Sequence, residues 1–507
     1  MCALFTLNAC TTLGPDYKQP DIDWLDKWQP DLYGQIDDNH LKIESDLTLW
    51  WRLFDDPVLN TLIKTAKQKN PTLRIAGLRI LENRAILGIA DSSLYPQAQQ
   101  VSGSVNYVNS QQHGGRPKIG NQELTNYQAG FGLGWELDFW GRFRRGIESA
   151  DAAFFASIAN QQAVQVLLSA QVADLYFAYR TTSLRIVIAR ENVAIQKRSF
   201  EITEQLFKSG QKSELDFQQA KTQYLATLSI IPSLEIGVVK ARNALSSLLG
   251  QAPGQLAVLD PQMDALPEIG NIKINAIPAS LLLRRPDIRA AALQVAAQSA
   301  QIGIAEADFY PAISLIGSIG WSGNNQSNAA DVSSLAIGPN LTWNIFDYGR
   351  IRNNVRLQDA RLQIAIESYQ DSVLQAAREI DDAAISVIKI AERQLILTQS
   401  LLAAERSLEI ANTNYREGYA TFQRVLDAQR AVFSQSENEL LNQGSSIEAV
   451  INFYKAMGGG WVVTAVDELI PEATRTAMEE RSDWGSLLTA PLNSPNLPKG
   501  SETLSND

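Results

Sequence analysis

Twice along this chain the apolar residues switch from every second position to every third or fourth. Phe131, Leu133, Trp135 and Leu137 alternate with Gly130, Gly132, Gly134 and Glu136, the period of a strand with one apolar face. Past Gly141-Arg142 the period becomes helical, and no proline interrupts the 66 residues of 142–207. At 1.5 Å per residue that is about 100 Å of helix. The chain turns at Lys208-Ser-Gly210-Gln-Lys212, and 213–249 is predicted as the returning helix, with Leu215, Ala220, Tyr224 and Leu228 on one face. The second switch is alike. Ile337, Leu341, Trp343 and Ile345 alternate with Asn340, Thr342 and Asn344, then helices are predicted over 351–415 and 421–457, turning at Gly418. Ahead of each lies a partner strand: Val101, Val105 and Tyr107 between Ser102, Ser104 and Asn106, and later Ile313, Leu315, Ile319 and Trp321. The elements therefore read as two β-hairpins, about 97–138 and 312–346, each feeding a long helical hairpin.

The second half repeats the first. Pro71-Thr-Leu-Arg74 matches Pro286-Asp-Ile-Arg289, and Tyr95-Pro96 matches Tyr310-Pro311, both at an offset of 215 (from 71 to 286). Trp135 and Trp343, Gly141 and Gly349, and Gly210 and Gly418 are offset by 208 (from 135 to 343). The change falls inside the hairpin, so the first hairpin loop is read as seven residues longer, an insertion placed where a loop tip tolerates it. The domains expected are 1–10, a truncated signal segment; 11–70, an extended tether and first helix; 71–255, repeat one; 256–285, a Pro-punctuated linker; 286–461, repeat two; and 462–507, a tail disordered by its end.

Composition narrows the function classes. A net charge of −11 over 507 residues argues against nucleic acid, which calls for a basic face. Cys2 and Cys10 are the only cysteines and His40 and His113 the only histidines, so neither disulfides nor a histidine-rich metal site is expected in the body. No run of 18 uninterrupted apolar residues occurs, so a bilayer would be crossed by strands. Asp381-Asp382 occupy adjacent helical positions and point apart, and no Gly-rich phosphate loop is present. No catalytic constellation or cofactor is expected. Leu7-Asn-Ala-Cys10 fits a lipidation site at Cys10, the alternative being a plain buried or frayed cysteine; Thr12 to Pro20 would be the tether behind it.

Four strands alone leave two open edges, which a bilayer does not permit. Closure needs further copies of the chain. Twelve or more strands begin to leave a water-filled lumen, and the Gly, Ser, Asn, Gln and Thr face suits water, so a trimer is the smallest conducting assembly. A soluble coiled-coil bundle would account for the long helices, but not for alternating hairpins rich in outward Trp.

Several stretches resemble the outer-membrane efflux proteins, the TolC-like outer membrane factors, and in particular their lipoprotein branch (the NodT/OprM-like group). They are Pro71-x-Leu-Arg74, Leu281-Leu-Leu-Arg-Arg-Pro-Asp-Ile-Arg289, Phe309-Tyr-Pro311, Val425-Leu-Asp-Ala-Gln429 and Tyr454-Lys-Ala-Met-Gly-Gly-Gly-Trp461. The resemblance implies a homotrimer with a 12-stranded β-barrel continuous with a 12-helix α-barrel. It also implies a lipid on Cys10, where Gly14-Pro-Asp-Tyr17 is a further family feature, anchorage in outer-membrane lipid, and docking to a periplasmic adaptor and a proton-driven inner-membrane pump. Drugs or other small toxic compounds would pass outward; the duct of a protein-secretion system and a non-conducting periplasmic scaffold remain alternatives. Carried over, the gate falls on Asp427, with Arg424 at a position acidic in some members, able to pair with it locally or across subunits. The plain alternative for Asp427 is a solvated helix-face carboxylate. The turns at Gly210 and Gly418 would be the adaptor-docking tips, although any helical hairpin needs such a glycine.

Overall fold

The computed structural model describes residues 11–25, 28, 47–110, 122–254, 256–259, 265–269, 279–325 and 331–492. Cys10, His40 and His113 lie outside them. Short helices open each repeat, and proline starts them: α1 (Pro57–Lys69) and α2 (Pro71–Ser92) carry Pro at the first position, where a missing N–H costs nothing. Asp56 accepts from the Val58 and Leu59 amides, and Asn70 from that of Leu73, so both starts are capped.

The hairpin β1 (Ala98–Ser110) and β2 (Gln122–Glu136) follows, then the first long helix α3 (Arg142–Lys208). The return was expected as one helix over 213–249. It is two, α4 (Glu214–Leu228) and α5 (Ile230–Leu248), broken at Ser229. Pro232 explains the break: it has no N–H to offer a carbonyl four residues earlier, and its ring crowds that carbonyl.

Repeat two is α6 (Ala279–Arg284), α7 (Pro286–Ala307), β3 (Ala312–Asn324), β4 (Val332–Thr342), α8 (Arg350–Arg416) and α9 (Phe422–Ala456). The duplication is exact for two helix pairs, while the return limb is broken in repeat one and continuous in repeat two. α2 and α7 have 22 residues each and are offset by 215 at both ends; α3 and α8 have 67 each and are offset by 208. The strands refine the expected insertion. β1 and β3 are offset by 214 at both ends (from 98 to 312), so one residue of the seven lies between Pro96 and the strand and the rest beyond β1. That single residue matters, because it restores the parity of the two strands.

α3 is the spine. It packs against α1, α2, α4, α5, α7 and α9, while α8 lies against α9 and α7. The main core gathers Trp50, Phe54, Leu59, Leu62 and Ile63 against Tyr176, Phe177, Leu245, Tyr369, Val373 and Ile451. Within it Asp56 also takes hydrogen bonds from the Tyr176 hydroxyl (2.8 Å) and the Arg180 guanidinium (2.8 Å), fixing α1 to α3.

The described part of the tail is folded onto repeat one. α10 (Val466–Leu469), α11 (Glu472–Glu479) and a 3-10 turn (Gly485–Leu488) bury Leu469, Ile470, Met478 and Leu488 against Ile80, Leu81, Phe154 and Phe155. Arg84 ties it down, donating to the carbonyls of Leu487 (3.2 Å), Ala490 (2.9 Å) and Pro491 (2.6 Å). Residues 493–507 lie outside the described part.

Candidate functional site

The four strands form one antiparallel sheet in the order β1-β2-β3-β4. Directly opposed residues share a parity: Val101 faces Phe131, Phe131 faces Ile319, and Ile319 faces Leu335. Opposed side chains in an antiparallel pair lie on the same face, so every odd-numbered residue of all four strands lies on one face. That face carries Val101, Val105, Tyr107, Tyr127, Phe131, Ile319, Trp321, Leu335, Ile337 and Leu341, all exposed. The even face carries Ser102, Ser104, Asn106, Asn126, Gln128, Gly130, Gly132, Ser318, Gly320, Asn340 and Thr342, with Val108, Leu124, Ile316 and Val332 as its larger apolar exceptions. An apolar surface of this extent, left open to water, has no place on a soluble monomer. β4 ends at Thr342, so Trp343 and Ile345, expected on the strand, lie just beyond it.

Each hairpin is fastened to its helix in the same way. The Trp135 indole donates to the Leu94 carbonyl (3.1 Å), and Trp343 does the same to Phe309 (2.9 Å). Gly141 (φ 75°) and Gly349 (φ 87°) make the left-handed turn into α3 and α8. The first free amides of each helix are met by a carboxylate: Asp138 accepts from Phe143 and Arg144, and Asp347 from Ile351.

The tether behind Cys10 ends at this junction. Leu13 donates its amide to the Trp140 carbonyl (3.1 Å), and the buried Arg145 guanidinium holds the carbonyls of Leu13 and Gly14 and the Asp16 carboxylate. Gly303 lies against Leu13 so closely that a Cβ would stand 2.4 Å from its carbonyl oxygen, and one on Gly141 would stand 2.7 Å from Thr12. Thr12 is thus seated where strand becomes helix, two residues after Cys10.

At the other end the two turns match bond for bond. Gly210 (φ 72°) and Gly418 (φ 82°) close α3 and α8; Gln211 donates to Leu206 O (2.9 Å) and Tyr419 to Asn414 O (2.8 Å). No atom lies within 4 Å of a Cβ at either glycine, so backbone conformation, not space, selects them. Phe200, Phe207, Phe217 and Tyr224 stack beneath the first turn, and Phe422, Val425 and Leu426 pack with Ala220 beneath the second. On the opposite face of α9 stand Arg424, Asp427 and Arg430, exposed and one turn apart. Within the chain the local Arg424–Asp427 pair does not form. Asp427 instead accepts from the Gln423 amide (2.9 Å) and pairs with Arg430 (3.6 Å), whose guanidinium also donates to Gln223 on α4. The reason is direction: helical side chains lean toward the N-terminus, so a cation three residues C-terminal to the carboxylate reaches back to it. Arg430 and Gln423 were missed in the sequence, although the spacing from 427 to 430 signals the pair.

Among the described residues no group of three or more His, Cys, Asp and Glu side chains converges as a metal site would require. One helical run, Glu214–Leu248, is long and apolar enough by composition to cross a membrane. It is the broken return limb α4–α5, laid along α3, which carries Arg185, Arg190 and Glu191 at that level and could not follow it into lipid.

The model of the family described as outer membrane efflux protein matches residues 62–251 and 277–459, one segment in each repeat. The chain belongs to the outer membrane efflux protein family. It is similar to the probable outer membrane lipoprotein SilC of Salmonella typhimurium, 30% identical over 475 residues, with 90% of this chain and 97% of that one covered. It is equally similar to the toluene efflux pump outer membrane protein TtgI of Pseudomonas putida, at 30% over 471 residues, covering 92% and 98%. Among solved structures the outer-membrane channel OprN superposes with a TM-score of 0.78 at 33% identity, over 89% of this chain and all of that one. This efflux protein is therefore the outer-membrane component of a tripartite pump, located in the outer membrane and reaching into the periplasm.

Proposed function

We propose that three copies of this efflux protein close their sheets into one twelve-stranded barrel, four strands from each, continuous with a tunnel of twelve helical limbs. Drugs or other small toxic compounds pass through it passively, delivered by an inner-membrane pump through a periplasmic adaptor. The observation that carries this reading is the shared parity of the four strands, which sets a continuous apolar face against a continuous small and polar one. An apolar exterior suits lipid and a polar interior suits water. TtgI is named for a toluene efflux pump, which favours small solutes over protein export, and a non-conducting scaffold has no use for a two-faced sheet.

Cys10 is the proposed lipid site. The seating of Thr12 and Leu13 at the strand-to-helix junction supports this reading, since acyl chains on a residue just before them would lie near the inner leaflet. The turns at Gly210 and Gly418 are proposed as the adaptor-docking ends, and the Arg424–Asp427–Arg430 face as part of the closed gate nearby. The test is single-channel recording of the purified lipoprotein in planar bilayers. Discrete conductance steps support the reading, and a silent protein whose gate face has also been neutralised overturns it. In parallel, Cys10→Ser should abolish incorporation of labelled palmitate; retained label removes Cys10 from the anchor.

A further inference from the structure

The two repeats make a contact inside one chain that predicts, residue by residue, the contact between chains. Within the chain the end of the first hairpin meets the start of the second. The Trp140 ring stacks on Tyr310 (centroids 4.6 Å apart) and its indole N–H donates to the Pro311 carbonyl (2.9 Å). Leu137 N donates to Ile313 O (2.9 Å), and β2 pairs with β3 so that opposed residue numbers sum to 450, as in Ala129 with Trp321.

The duplication maps Trp140 onto Tyr348, Tyr310 onto Tyr95, Pro311 onto Pro96, β2 onto β4 and β3 onto β1. The mapped halves cannot meet within one chain, because β1 and β4 are the two outer strands of the sheet. Both lie open. Tyr348 is 103% exposed and Tyr95 70%, with Ile345 and Phe346 exposed beside them, whereas Trp140 is half-buried in the equivalent contact. Tyr348 also takes a positive φ (53°), which among the described non-glycine residues only Asp55 shares. A large aromatic side chain held out in that conformation is what an incomplete interface leaves behind.

We infer that β4 of one copy pairs antiparallel with β1 of the next in a register where residue numbers sum to 444 (450 − 214 + 208), and that Tyr348 of one copy stacks on Tyr95 of the next. This opposes Leu341 to Gly103 and Ile337 to Tyr107. All such pairs are odd with odd, so the apolar face runs unbroken across the seam, a condition the strand offset of 214 meets and the offset of 215 at Tyr-Pro would break. The inference rests on the multi-copy channel reading above and adds its contact map.

Disulfide trapping in the full-length lipoprotein tests it. Ile337→Cys with Tyr107→Cys should give about tenfold more covalently linked oligomer on oxidation than Ile337→Cys with Val105→Cys or Asn109→Cys. Directly opposed Cβ atoms lie within disulfide reach and diagonal ones do not. A shifted pair that links best overturns the register while leaving the channel reading intact. A protein that is monomeric by native mass spectrometry before any oxidation sinks the channel reading itself. For the stack, Tyr348→Ala and Tyr95→Ala should each speed dissociation of the oligomer in warm detergent about two- to tenfold per interface, and the double variant no more than either. Additive effects would remove the aromatic pair from the seam.

Discussion

Asp174 shows how much one side chain on the spine can carry. It sits on α3, and its Oδ1 is buried with no hydrogen-bond partner. Burial, more than the opposed influences of Lys455 and Glu448, pushes its carboxyl up to about 6 from the ordinary 3.8. The folded protein therefore holds a proton that the unfolded chain releases between those values, and stability present below pH 4 is lost as pH rises through 6. Asp174→Asn should be more stable than the parent by about 1–3 kcal/mol at pH 7.5, with the gap closing at pH 4. Thermal unfolding of the two proteins at both pH values checks this, and a gap independent of pH would refute it. Asp56 is the contrast. It is more deeply buried, but two amides, a phenol and a guanidinium satisfy it, so Asp56→Ala should cost about 3–5 kcal/mol by orphaning Arg180, read in the same melts. In the sequence both are merely acidic residues near apolar ones; only the packing distinguishes them.

At the scale of elements, the junction between sheet and helix is the most densely specified part of the chain. Period-two alternation, a glycine, then period 3.6 made both junctions legible from residue spacing, and the structure adds the capping carboxylates and the paired Trp bonds. The seat of the tether was not legible, because Arg145, Gly303 and Leu13 are far apart in sequence and carry no pattern. Gly303→Ala should expel Leu13 and release residues 11–25 to proteolysis while the helices hold. Limited digestion followed by mass spectrometry reads this directly, and an unchanged digestion pattern would mean the seat tolerates the methyl group. The break at Ser229 follows from Pro232, whose missing N–H overrides the helical period around it.

For the whole molecule, the two ends of a helical hairpin about 100 Å long do different work. One end is fixed in a sheet whose outer strands β1 and β4 are unpaired on their far sides, and the other offers polar tips and the exposed Arg424–Asp427–Arg430 face. Asp427 holds Arg430 to its own helix, and Arg430 holds α4, so removing that carboxylate loosens the pairing of α4 with α9. Asp427→Ala should raise channel conductance in planar bilayers severalfold and make it less dependent on salt. Conductance identical to the parent would show that this face does not gate.

The repeat, the hairpins, the long helices and the membership of an efflux family were written in periodicity and recurring motifs, because backbone geometry imposes fixed periods on any sequence that buries one face. What tertiary structure decided was partnership: Asp427 with Arg430 rather than Arg424, the tether with Arg145, the tail with α2, and odd residues with odd across the sheet. Such choices depend on distances between residues remote in sequence and on the direction in which side chains leave the backbone, and neither is encoded in local spacing.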